Sequence, residues 1–245
     1  MSILLNGDCL ELMKDLDDNS IDLIFCDLPY VDSKGKGQTC CKWNQSAIDL
    51  DLFWIQVMRI KKLNTPIFMT TTTKFGVELI NSAPKKLKFF DLVWVKSSSS
   101  GFLLSKKFPL RKHEMIYCFY EKLPFYDLSS HKQKFIDKKE VVNVKDSTYG
   151  SLDIKQPKTS GARWEPALPH SILEIKSTRG KHSTEKPVAL IEWILKYYSK
   201  EGDVVLDPTM GSGSSGCAAK NLNRNFIGME MDPEIYESAV NRIEN

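Results

Sequence analysis

No run of about 18 apolar residues occurs in the 245-residue chain, so nothing in it reads as a membrane-spanning helix. The first residues, Met1 to Asp8, lack the basic start and long apolar stretch of a secretion signal. The six cysteines, Cys9, Cys26, Cys40, Cys41, Cys118 and Cys217, never form Cys-x-x-Cys. That excludes the usual zinc and redox spacings, leaves Cys40-Cys41 short of ligands, and predicts no metal and no disulfide framework. A reducing cytoplasm fits this cysteine usage. Large net charge is also missing: at +3 the whole-chain balance says little about partners, and only its distribution is informative.

What is present centres on Ile21–Tyr30, read Ile-Asp-Leu-Ile-Phe-Cys-Asp-Leu-Pro-Tyr. The apolar, β-prone run predicts a short strand buried on both faces, as in a parallel sheet. Pro29 ends it, because proline cannot continue a ladder. Asp27, the Leu28 carbonyl and the Tyr30 ring are thus placed together at a strand's carboxyl end, the edge where open α/β sheets bind ligands. Two acceptors and a flat ring suit an exocyclic amine on a planar heterocycle. An Asp-Pro turn with Tyr30 packed on the rim is the plainer reading of the same four residues.

A second stretch, Val204–Gly216, reads Val-Val-Leu-Asp-Pro-Thr-Met-Gly-Ser-Gly-Ser-Ser-Gly. It predicts a buried strand, an acid, and a glycine-rich turn into a helix whose free N–H groups suit a carboxylate. No Gly-Lys-Ser/Thr closes it, so it is no P-loop, and it is read without the phosphate logic of a dinucleotide fingerprint. Asn225–Met229 predicts the next strand, ending at Glu230, where a carboxylate can bind both ribose hydroxyls.

Together these stretches resemble the S-adenosylmethionine-dependent DNA amino-methyltransferases. Their catalytic motif is Asp/Asn/Ser-Pro-Pro-Tyr/Phe, matched here by Asp27-Leu28-Pro29-Tyr30, with Leu28 in place of the first proline. Their cofactor loop is matched by Asp207-Pro208 through Gly211 and Gly213. The motif comes first and the loop last, an order similar to the β class. The resemblance implies a Rossmann-like α/β fold with a mostly parallel seven-stranded sheet and helices on both faces. It also implies S-adenosylmethionine contacts from Asp8, Cys9, Asp27, Thr184, Lys186, Asp207, Pro208, Gly211, Gly213, Glu230 and Met231. Lys186, in Thr-Glu-Lys-Pro, is expected at the cofactor's carboxylate and Asp8 at its adenine. Asp at position 27 resembles the adenine-N6 type. Cytosine-N4 transfer, or an inactive relative that only binds DNA, are the alternatives. Pro-Cys, the signature of cytosine-carbon methylation, is absent.

The remaining chain predicts a strand at 3–5 and a helix over Cys9–Leu16 with Asp8 and Glu11 as a capping box. A loop with Trp43 follows the motif. A helix over Asp49–Leu63, strands at Pro66–Thr70, Phe89–Lys96 and Glu114–Tyr120, and a short helix at Phe75–Asn81 come next. Ser97–Gly101 reads as a polar connection. Between Lys85 and Lys112 eight basic residues face the single acid Asp91, with Phe102, Leu103, Leu104 and Phe108 interleaved. This is either a solvated face or a phosphate-tracking surface, with Lys106, Lys107, Arg111 and Lys112 as DNA contacts. Residues 1–122 and 177–245 are expected to form the catalytic and cofactor-binding domain. Residues 123–176, irregular and rich in lysine, serine and proline, form an insert in the position of the family's target-recognition region. Arg163 and Trp164 there either read bases or anchor the insert. Double-stranded DNA is the implied partner. A homodimer stays open, since many members of the class pair.

Overall fold

Every residue of β2 (Leu23–Cys26) is buried, although successive side chains point to opposite faces. Leu23 and Phe25 enter one apolar cluster, Ile24 and Cys26 another. Such a strand needs helices over both faces. The computed structural model describes residues 1–31, 48–135, 162–177 and 185–245, and shows that cover. On one side lie α1 (Cys9–Leu12), α2 (Leu50–Ile60) and α3 (Thr73–Ser82), contributing Cys9, Phe53, Trp54, Val57, Phe75 and Leu79. On the other lie α4 (Val188–Tyr198), α5 (Ser214–Asn221) and α6 (Pro233–Glu244), contributing Leu190, Ile194, Ala218, Ala219, Ala239 and Ile243.

The remaining strands are β1 (Ser2–Asn6), β3 (Ile67–Thr71), β4 (Lys88–Ser100), β5 (Arg111–Tyr120), β6 (Lys132–Phe135), β7 (Ala162–Glu165), β8 (Ile172–Leu173), β9 (Val204–Asp207) and β10 (Asn225–Glu230). The main sheet runs β1-β10-β9-β2-β3-β5-β4-β8. Strands β1, β10, β9, β2 and β3 are parallel, and β5 is antiparallel to both β3 and β4. Eight strands replace the expected seven because β8 adds a two-residue edge to β4, with the Val93 N–H donating to the Ser171 carbonyl.

Strand order decides where a ligand fits. From β2 the chain passes through α2 to β3; from β9 it passes through α5 to β10, on the other side and across the other face. The connections diverge between β2 and β9, opening a crevice at their carboxyl ends.

Several local readings change. The helix expected to Leu16 ends at Leu12 and tightens into a 3-10 turn over Met13–Asp15. Asp8 caps α1 by accepting from the Leu10 N–H at 2.8 Å, but Glu11 pairs with Lys14, so no reciprocal box closes. Ser97–Ser100 belong to β4, not to a connection: after a register shift Ser100 pairs with Arg111 of β5, and Ser97 exchanges hydrogen bonds with Ser177. Pro187 itself is the N-cap of α4. Trp43, Cys40, Cys41 and Thr184 lie outside the described residues.

Two units form: residues 1–126 with 171–245, and residues 127–170. The edges differ from the expected 123 and 176 for packing reasons. Tyr126 packs on Tyr197 and Tyr198, and the Ile175 carbonyl accepts from Trp94 Nε1 at 2.8 Å, so both ends stay with the sheet. The smaller unit carries β6 and β7 as an antiparallel pair, so strand pairing occurs despite the irregular composition.

Candidate active site

Asp27 follows β2 directly and stands in the crevice, 28% exposed. Its carboxylate is held from three sides. Oδ1 accepts from the Tyr30 hydroxyl at 2.6 Å and from Thr70 Oγ1, at the end of β3, at 2.5 Å. Oδ2 accepts from Lys186 Nζ at 2.5 Å. Burial alone would lower the Lys186 pKa, but Asp27, then Tyr30 and Glu114, outweigh it and hold the ammonium charged. Glu114 Oε2, on β5, sits 3.5 Å from the same ammonium and has no hydrogen bond among the described residues. Its Oε1 pairs with Lys96 at 3.0 Å. Lys186 is therefore placed between Asp27 and Glu114.

The segment holding Lys186 is itself anchored. Glu185 takes an ion pair from Arg242 of α6 at 2.5 Å and a hydrogen bond from Ser214 at 3.3 Å. Pro187 then starts α4. Tyr30 packs against Phe75, with ring centroids 5.8 Å apart, and burial raises its hydroxyl pKa well above the ordinary value. Leu28 is buried, and its carbonyl precedes a residue with no N–H.

Across the crevice the glycine loop follows β9. Asp207 is buried; its Oδ2 accepts from Ser215 at 2.5 Å and its Oδ1 from the Thr209 N–H at 3.0 Å. Burial pushes its carboxyl up to about 7. Its bonds pin the loop on Ser215 of α5. Glu230, ending β10, accepts from the Gly211 N–H at 3.1 Å and the Asp232 N–H at 2.9 Å, and burial raises its pKa. Gly211, Gly213 and Gly216 do have the G-x-G-x-x-G spacing. Gly213, at φ +81°, leaves no room for a side chain, since a Cβ would lie 2.9 Å from Ile243. Gly211, at φ +51°, faces open space. Beside this edge Asp8 is exposed, Cys9 is buried with its thiol pushed up to about 12, and Met231 is exposed.

Parallel pairing sets Asp27, Asp207 and Glu230 on neighbouring strand ends, with β2 and β10 two strand spacings apart, roughly 10 Å. One crevice thus contains both distant segments. It fits a cofactor with ribose hydroxyls and an amino-acid end. Open space lies over Gly211, a carboxylate stands at the end of β10, and the buried Thr209 hydroxyl has no partner among the described residues.

Residues 21–241 match the DNA methylase family N6_N4_Mtase. The chain belongs to the DNA methylase family. It is an S-adenosylmethionine-dependent DNA methyltransferase. It is 28% identical to Type II methyltransferase M.HinfI of Haemophilus influenzae over 99% of this chain and 68% of that one. To Type II methyltransferase M.HpaI of Haemophilus parainfluenzae it is 26% identical, over 99% and 74%. The fold is shared with an M1.HpyAVI–SAM complex at a TM-score of 0.64 and 21% identity, covering 99% of this chain and 100% of that one. It is shared also with the cytosine-N4-specific PvuII DNA methyltransferase at 0.71 and 17%, covering 98% and 86%.

Sequence reasoning did not anticipate Thr70, Glu114 or Arg242. Thr70 lies in a run of four threonines closing β3, and polar residues at a parallel strand's carboxyl end were the available signal. Lys106, Lys107, Arg111 and Lys112 lie at or beside the tip joining β4 and β5 and are exposed. In the smaller unit Arg163 and Trp164 line a cavity of about 430 Å3 with Glu165, Ala167, Leu168 and His170. Glu165 is ion-paired with Lys134. Among the described residues no cluster suits a metal ion, and no helix is long and apolar enough to cross a membrane.

Proposed function

We propose that this methyltransferase acts at specific sites in double-stranded DNA, on the N6 amine of adenine. The observation carrying the reading is Asp27, fixed by three donors at the head of a crevice that also holds Glu230. S-adenosylmethionine, when bound, supplies the electrophilic methyl group. Glu230 would hold its ribose, the loop at Pro208, Gly211 and Gly213 its amino-acid end, Lys186 its carboxylate, and Asp8, Cys9 and Met231 its adenine side.

An arylamine is a weak nucleophile, so the protein's task is orientation and stabilisation of positive charge growing on nitrogen. Asp27 and the Leu28 carbonyl accept the two amine hydrogens and favour a tetrahedral nitrogen. Lys186, drawn partly toward a ligand carboxylate, leaves Asp27 Oδ2 open to the amine. The Tyr30 ring stacks on the base. A base inside a duplex cannot reach this crevice and must be flipped out, which costs a few kcal/mol. Lys106, Lys107, Arg111 and Lys112, with Arg163 and Trp164 of the smaller unit, hold the opened DNA. The cysteine usage supports a reducing cytoplasm, and the reading needs no second copy of the chain.

Asp27→Ala and Asp27→Asn test this. Both are expected to lose methyl transfer by about 1,000-fold or more while keeping cofactor binding by calorimetry within about threefold. Near-normal transfer by either variant would reject the assignment. Cytosine-N4 transfer is the second reading, because the family's own name spans both acceptors.

A further inference from the structure

The long β4–β5 hairpin ends in an apolar tip that nothing among the described residues covers. Phe102, Leu103 and Phe108 are 79%, 98% and 64% exposed, and Phe102–Leu104 form a 3-10 turn after Gly101, whose φ is +90°. Monomeric surfaces seldom display clustered large apolar side chains without a use. Around them stand Lys106, Lys107 and Lys112, none with an ion pair among the described residues.

The position of the tip follows from register. Thr71, the last residue of β3, pairs with Met115, and Trp94 pairs with Glu114. From Glu114, which touches Lys186 and already lies one residue past the end of β3, β5 continues three more residues to Arg111, roughly 10 Å. Its partner β4 spends extra residues over the same span, through a register shift between Val95 and Ser100. The neck of the tip is tied to the start of α3 by Arg111 and Thr73, 3.5 Å apart. The tip therefore projects past the same sheet edge that carries Asp27.

We propose that this tip is a wedge into the DNA duplex. Phe102 and Leu103 enter the base stack beside the flipped nucleotide, and Lys106, Lys107 and Lys112 hold the flanking phosphates. Apolar side chains inserted between base steps unstack them, and neighbouring cations fix the backbone. Charge complementarity selects DNA over a second copy of the chain, because two such tips would bring like charges together. The proposal rests on the reading of the crevice as a DNA methylation site, and deepens it.

The test uses the full chain, wild type and F102S/L103S, with a duplex carrying the methylation site found by sequencing wild-type-modified DNA. One duplex is intact; another has an abasic position opposite the target, so the base is already unpaired. The wedge predicts a loss of kcat/KM at least tenfold larger on the intact duplex than on the opened one. With 2-aminopurine at the target, wild type and Asp27→Ala should both brighten the fluorescence, and F102S/L103S should not. Equal losses on both duplexes, or undiminished brightening, would overturn the wedge and leave the crevice assignment standing. Sedimentation without DNA supplies the other contradiction: a dimer that F102S/L103S turns into a monomer makes the tip an interface between copies. Failure of the crevice reading looks different again, since Asp27→Ala would then keep its transfer activity.

Discussion

The two walls of the crevice hold their carboxylates by opposite means. On the β2 side Asp27 has a buried ammonium, Lys186, and two hydroxyls. On the β9–β10 side Asp207 and Glu230 have no ion pair among the described residues and rely on backbone N–H groups and one hydroxyl. Burial there raises both pKa values, Asp207 to about 7. A paired cation fixes a charged acceptor in one place, which suits an amine that becomes positive. Burial without a paired cation biases an acid toward its neutral form, and the N–H and hydroxyl donors only partly offset it.

The sharpest way to break this contrast is through pH. Asp207 binds its proton more tightly folded than unfolded, so its contribution favours the folded state fully below about pH 4. That contribution fades as pH rises through about 7, a loss of about 4 kcal/mol. Asp207→Asn should flatten this slope in urea unfolding between about pH 4 and 7; an unchanged slope would assign it to other groups. On the opposite wall, Lys186→Met strips the cation from a buried pair. It should cost about 3 kcal/mol of stability at pH 7 by the same assay, and a cost under about 0.5 would make the ion pair incidental. Glu230→Gln probes the ribose role. Calorimetry is expected to show S-adenosylmethionine bound about tenfold more weakly, with kcat changed less than KM. An effect of similar size, about 1–2 kcal/mol of stability, belongs to Gly213→Ala, from a left-handed backbone and contact with Ile243.

Local pattern carried much of this architecture. β2 and β9 are legible as unbroken apolar runs, and α4 as a stripe of Leu190, Ile191, Ile194 and Leu195, all buried. The carboxyl-end acids follow directly from those strands. What local pattern could not supply is pairing between distant segments. Lys186 meets Asp27 across 159 positions, and Thr70 and Glu114 reach the same cluster from two further strands. Ser97–Ser100 have loop composition, yet they extend β4, with Ser100 paired to Arg111 of β5. Two residues, Ile172 and Leu173, are too few to show a period, so the eighth strand was invisible. The basic segment was visible as charge, but its projection past the site depends on the register of β4 against β5.

The claim beneath all of this is that Asp27 receives an adenine amine in the crevice shared with Glu230. Incubating the purified protein with unmethylated DNA and S-adenosylmethionine carrying a labelled methyl, then digesting to nucleosides, tests it directly. Label in N6-methyladenosine of the deoxy series is the expected result; label in N4-methylcytosine instead, or in no nucleoside at all, would contradict it.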